Sequence, residues 1–328
     1  MRAPLVKGAG ISQSPRMQQM FLGFFCAVAL SACAVEAVSE PSDEEVVLTE
    51  ADKPLMSWPD LTNRPLPEPD QTISYGSLDQ QIVDLWIPDA DGPHPVVLMV
   101  HGGCWQKAIA DRTLMNYAAA DLRARGIAVW NIEYRGVDED GGGYPGTFMD
   151  VAAAAKALSD EGPEMGLNTD RIIGFGHSAG GHLVAWLAAQ DNLPSQSPLA
   201  DAPITSLYGI INSGGLADLE ASKPVTLPSC LSAIADQLTG MQSSDRENVY
   251  SDTSPAMLQP SRTIQYSVNG ARDRIAPPQL GLAYTALVNE AGGSALYEEV
   301  FGGHVELISP GTYAWEAEVA LIELLLEQ

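Results

Sequence analysis

One short stretch, Arg171–Gly181, limits what this chain can fold into. It reads Arg-Ile-Ile-Gly-Phe-Gly-His-Ser-Ala-Gly-Gly and contains a Gly-x-Ser-x-Gly, from Gly176 to Gly180. Ile172, Ile173 and Phe175 form an apolar run before it, and His182–Ala189 reads as a helix after it. Strand, tight turn and helix then follow one another, with Ser178 on the turn. Such a turn needs glycines, and it lifts the serine hydroxyl clear of the backbone, where a base can reach it. A nucleophilic serine also needs a base, an acid to orient the base, and donors for an oxyanion.

The remaining pattern supplies a scaffold. Thr72–Tyr75 and Gln81–Ile87 alternate and predict an antiparallel hairpin. Apolar runs at Val96–Val100, Ile127–Ile132, Arg171–Phe175, Ile204–Ile211, Thr263–Val268 and Leu296–Val300 predict buried strands. Helical patterns at Thr113–Arg125, Phe148–Leu158, Leu280–Ala291 and Trp315–Leu326 are interleaved with them. This alternation predicts an α/β fold, a mostly parallel central sheet with helices on both faces. The 328 residues, 45% of them hydrophobic, suffice for one such domain, read as residues 70–328. Residues 216–257 break the rhythm and are read as a small cap inserted over the strand ends.

In such a sheet, functional groups gather at the C-terminal ends of the strands. Four candidates fall there: Gly102–Trp105, Ser178, Asp273 and His304. The base follows by elimination among five histidines. His94 precedes a strand, His101 opens a glycine turn and orders it, His177 adjoins Ser178 and is expected to point away, and His182 lies within the helix. His304, on a loop after the last strand with Gly302 and Gly303 beside it, is left. Asp273 ends the penultimate strand and is the candidate acid, with Asp218 as competitor. The backbone N–H of Ala179 follows the nucleophile and is one oxyanion donor. The Gly102, Gly103 and Cys104 turn is expected to give the others, and Trp105 an aromatic wall for the substrate. No cysteine/histidine cluster has metal-ligand spacing, and neither metal nor cofactor is implied.

The N-terminal region reads as targeting. Arg2, Lys7 and Arg16 precede an apolar run, Phe21–Leu30, too short to span a bilayer comfortably. Leu30-Ser31-Ala32-Cys33 resembles a bacterial lipobox, which implies a signal peptide over residues 1–32 and lipidation of Cys33. Ala34 after the cysteine resembles the pattern sorted to the outer membrane of Gram-negative cells, there facing the periplasm. Residues 33–69, rich in Glu, Asp, Ser and Pro, are read as a disordered acidic tether. The whole chain carries a formal net charge of -25. Without residues 1–32 it holds 14 basic against 42 acidic side chains, a net of -28. Such a surface repels nucleic acid and anionic headgroups, leaving the lipid as the only expected membrane contact. An oxidising compartment permits a bridge between Cys104 and Cys230; two free thiols are the alternative.

His101-Gly102-Gly103-Cys104-Trp105, the Gly176–Gly180 turn, Gly270-x-x-Asp273 and Gly303-His304 together resemble the α/β-hydrolase superfamily. Within it they are similar to the kynurenine formamidase and carboxylesterase-like branch related to hormone-sensitive lipase, over about Thr72–Gln328. The resemblance implies Ser178 as nucleophile, Asp273 as acid and His304 as base. Cys104 departs from the tyrosine usual in the formamidases. The expectation is therefore an exported serine hydrolase acting on small carboxylic esters. An arylformamidase or amidase, a prolyl-oligopeptidase-like peptidase, and a non-catalytic binding lipoprotein on the same fold are the rivals.

Overall fold

Along β3 (His94–Val100), side chains alternate between two buried layers. Val96, Leu98 and Val100 join one cluster, Val97 and Met99 the other. A strand with both faces buried must have helices above and below it. In the computed structural model, which describes residues 49–226 and 230–327, this is what surrounds it. Helices α3 (Gly146–Glu161), α4 (Ala179–Leu187) and α7 (Pro278–Glu290) bury Phe148, Leu183 and Tyr284 in the first layer. Helices α2 (Asn116–Ala124) and α8 (Tyr313–Glu327) bury Leu122 and Trp315 in the second.

The sheet has eight strands in the order β1-β2-β4-β3-β5-β6-β7-β8. β1 (Gln71–Ser74) and β2 (Ile82–Trp86) form the expected hairpin, and β2 also pairs antiparallel with β4 (Ala128–Ile132). From β4 through β3, β5 (Leu167–His177), β6 (Gly209–Ser213) and β7 (Ile264–Gly270) to β8 (Ser294–Val300), every pairing is parallel. The chain leaves β3 to one side and returns to β5 on the other. That reversal opens a crevice between the loops after β3 and β5, the place where α/β sheets bind ligands.

Two expectations change. β6 is shorter than the apolar run that announced it: its pairing begins at Gly209, and of the residues before it Ile204 is exposed while Thr205 and Leu207 are buried. The segment between β6 and β7 holds α5 (Leu219–Ser222) and α6 (Leu231–Thr239), and its Cys230 is bonded to Cys104. The second change concerns the tether. Its first part, like residues 1–32 and Cys33, lies outside the described residues, but its last part is ordered. α1 (Trp58–Thr62) starts at Ser57, whose N–H and Oγ both donate to Asp60. Leu61 is fully buried in the same layer as Met115 and Tyr117. The Tyr117 hydroxyl and Asn116 Nδ2 donate to carbonyls of Arg64 and Pro67. A proline-rich composition hides this anchoring, in which Leu61, partly buried Met56 and Trp58, and backbone hydrogen bonds all take part.

Candidate active site

Ser178 sits between β5 and α4 at φ 57° and ψ -118°, a conformation costly for any residue with a Cβ. The turn can be this tight because a Cβ on Gly180 would lie 2.0 Å from the carbonyl oxygen of Val100. Among the described residues only two other non-glycine residues have positive φ, Cys104 and Trp105. Both lie on the loop after β3, so backbone strain concentrates on two facing loops. Gly102 faces the nucleophile directly: a Cβ there would come 2.9 Å from Ser178 Cβ. The N–H groups of Gly103, Cys104 and Ala179 have no acceptor among the described residues.

Buried side chains hold the first of these loops. His101 has one ring nitrogen 2.7 Å from the Gly102 carbonyl and the other 2.8 Å from Glu133 Oε1. Tyr134 stacks on the imidazole and donates to the His101 carbonyl. Lys107 Nζ donates to Glu133 Oε2 at 2.8 Å. Burial alone would raise the Glu133 carboxyl, but His101 and Lys107 outweigh it and hold the group at about 2. His101 therefore orders the turn, as the sequence suggested.

His304 and Asp273 meet, 31 residues apart in sequence. His304 Nδ1 lies 2.6 Å from Asp273 Oδ2, with both side chains buried. Asp273 Oδ1 accepts the N–H groups of Ile275 and Ala276, which fix the carboxylate. The proton between the pair belongs on Nδ1, leaving Nε2 of His304 as an acceptor. Asp218 does not compete, since it caps α5 by accepting the Ala221 N–H.

Ser178 and His304 line one cavity of about 280 Å³. Gly103 and Cys104 line it too, and its apolar wall is Trp58, Ile109, Ala110, Leu114 and Ile275. Three roomier cavities, of about 400, 640 and 790 Å³, contain neither Ser178 nor His304. Trp105 is not in the wall. Its indole is fully buried beneath the loop and donates to His182 Nδ1 at 3.1 Å, so the expected substrate contact is corrected. His182 donates in turn to the Thr253 carbonyl, and burial lowers it to about 4. The aromatic wall is Trp58 instead, whose ring stands edge-on to those of His177 and His304. The signal for it was Ser57-Trp58-Pro59-Asp60, a capping pattern with proline in the first turn. His177 has a neighbour that the sequence did not reveal: it packs against His304, ring centroids 4.4 Å apart.

With this geometry in hand, comparison with known proteins gives a family. The BD-FAE family model matches residues 83–284, more than half of the chain. The chain belongs to the BD-FAE family. The matched span runs from β2 into α7 and includes Ser178 and Asp273. This BD-FAE chain is 31% identical over 116 residues to a probable isoprenylcysteine alpha-carbonyl methylesterase of Arabidopsis thaliana, covering 35% of this chain and 24% of that one. It is 30% identical over 158 residues to carboxylesterase NlhH of Mycobacterium tuberculosis, covering 41% and 49%. It thus spans about a quarter and about half of the length of these curated relatives. Among solved structures it resembles esterase B from Lactobacillus rhamnosis, with TM-score 0.66, 18% identity and coverage of 81% and 90%. A truncated carbohydrate esterase from gut microbiota gives TM-score 0.65, 16% identity and coverage of 79% and 97%. At such identities the likeness concerns the fold, which is that of the α/β-hydrolases.

Proposed function

We propose that this protein is a serine esterase that cleaves small carboxylic esters through an acyl-enzyme. The observation that carries the reading is the 2.6 Å pair of His304 and Asp273, whose histidine lines one cavity with Ser178. Ser178 Oγ attacks the ester carbonyl carbon while His304 Nε2 takes its proton. Asp273 keeps the proton of Nδ1 in place and stabilises the imidazolium. The oxyanion is held by the N–H groups of Ala179, Gly103 and Cys104. Collapse of the tetrahedral intermediate expels the alcohol, which receives the proton from His304. Water then attacks the acyl-enzyme with His304 again as base, and the carboxylic acid leaves. The names of the curated relatives, a methylesterase and a carboxylesterase, agree with ester chemistry. The small apolar wall favours a short uncharged acyl or alkyl group.

The test is hydrolysis of p-nitrophenyl acetate beside a formyl-amide substrate, with labelling by a fluorophosphonate. Ester turnover and a label on Ser178, both lost in Ser178→Ala, are expected. Preference for the formyl amide would favour the arylformamidase or amidase rival, and no turnover or label at all the binding protein. We further propose that the protein is exported and held at the cell envelope by lipid on Cys33. The Cys104–Cys230 disulfide fits an oxidising compartment. Cys33→Ser should move the protein from the membrane to the soluble fraction, and unchanged fractionation would refute the anchor.

A further inference from the structure

The residue just before Ser178 is connected to the loop that carries His304. His177 Nε2 lies 3.0 Å from the backbone carbonyl oxygen of His304. A carbonyl only accepts, so the proton of this ring is on Nε2. The other nitrogen, Nδ1, is then a bare lone pair, and it is buried without a partner among the described residues. It lies against Gly102, where an added Cβ would come 3.1 Å from it. A second proton on the ring would have no acceptor to meet. Burial holds the ring well below the ordinary histidine range, and the neighbouring His304 acts in the same direction.

The two histidines stand in different mechanical settings. His177 ends β5, paired with β3 and β6 in the middle of the sheet. His304 follows β8, the edge strand, on a loop with two glycines. Asp273 fixes its imidazole, but the backbone needs its own reference. Glu306 gives one on the outer side, accepting from Gly303 N–H and from Met56 N–H. On the inner side the reference is His177. Its backbone adjoins the nucleophile, so a shift of one group relative to the other must break or bend this bond.

We propose that His177 is a positioning residue: its Nε2–H holds the His304 carbonyl and so keeps the base in register with Ser178. The proposal rests on the reading of Ser178 and His304 as nucleophile and base. It gives the variable position of the Gly-x-Ser-x-Gly turn a task that the turn itself does not require. A neutral ring also suits this place, because a second cation beside His304 would oppose the imidazolium formed in each acylation.

Glutamine and asparagine separate this bond from mere packing. A glutamine amide nitrogen reaches about as far as histidine Nε2, whereas that of asparagine falls short, near the position of Nδ1. His177→Asn should lower kcat for p-nitrophenyl acetate by about a hundredfold, the cost of misplacing reacting groups by about 1 Å, with KM little changed. His177→Gln should restore kcat to within about tenfold of wild type. Rates of fluorophosphonate labelling at Ser178 should follow the same order, with circular dichroism confirming that both variants are folded. Equal losses in the two variants, a loss confined to KM, or wild-type rates in His177→Asn would overturn the proposal. A wild-type protein that neither hydrolyses the ester nor takes the label would overturn the underlying esterase reading as well. A labelled wild type with His177→Asn labelled equally fast would overturn the positioning role alone.

Discussion

Glu318 of α8 should make this protein less stable as the pH rises. Its carboxyl is fully buried, and Ser213 Oγ donates to Oε1 at 2.6 Å. The other oxygen, Oε2, has no partner among the described residues. Burial pushes the group well above the ordinary carboxyl range, and the Ser213 hydrogen bond offsets only part of that. The folded chain therefore keeps a proton that the unfolded chain releases above about pH 4.3. The unfolded state then binds fewer protons, and unfolding becomes easier by about 1.4 kcal/mol for each pH unit. This contribution is fully present below the unfolded value. It falls away as pH rises toward the folded one, where the buried carboxyl itself ionises. Glu318→Gln keeps an acceptor for Ser213 and removes the titration. Its amide nitrogen gains no partner, which costs about 1–3 kcal/mol at every pH. The difference in unfolding free energy between variant and wild type, measured in urea at pH 5, 6 and 7, should thus shift in the variant's favour as pH rises, by up to about 1.4 kcal/mol per unit while the buried carboxyl keeps its proton. A constant difference across that range would show that Glu318 is ionised in the fold and would refute the reasoning. The site is not remote from the chemistry, because the carbonyl of the same Ser213 accepts the Ser178 N–H at 2.8 Å.

Two further outcomes test the cavity. Trp58→Ala should extend the range of p-nitrophenyl esters toward longer acyl chains, with about 0.8 kcal/mol, or about fourfold in kcat/KM, for each further methylene that is buried. An unchanged chain-length profile would remove Trp58 from the wall. Asp273→Asn should lower kcat by about 10⁴-fold, because the ring then loses its tautomer and orientation, whereas Asp218→Asn should stay near wild type. The reverse order would exchange the two assignments.

What the sequence determined by itself was local or followed from order along the chain. The turn at Ser178 could be read because its glycines, its apolar strand and its helix lie within one short stretch. The alternation of strands and helices gave the sheet, and the sheet gave the side on which Asp273 and His304 emerge. What tertiary structure alone decided was which way side chains face and which distant segments meet. Trp58 and Trp105 are both tryptophans near glycine or proline, but only docking of the N-terminal segment puts Trp58 on the cavity, while the positive φ of Trp105 accompanies an indole buried against His182. His177 packs on His304 because the loop after β8 folds back over β5, a contact across 127 residues. Cys104 and Cys230, 126 residues apart, meet at 5.1 Å between Cα atoms only once the β6–β7 segment is folded. Periodicity reports which face of an element is buried. It says nothing of what lies opposite, because long-range contacts depend on the closure of loops whose residues carry no record of their partners.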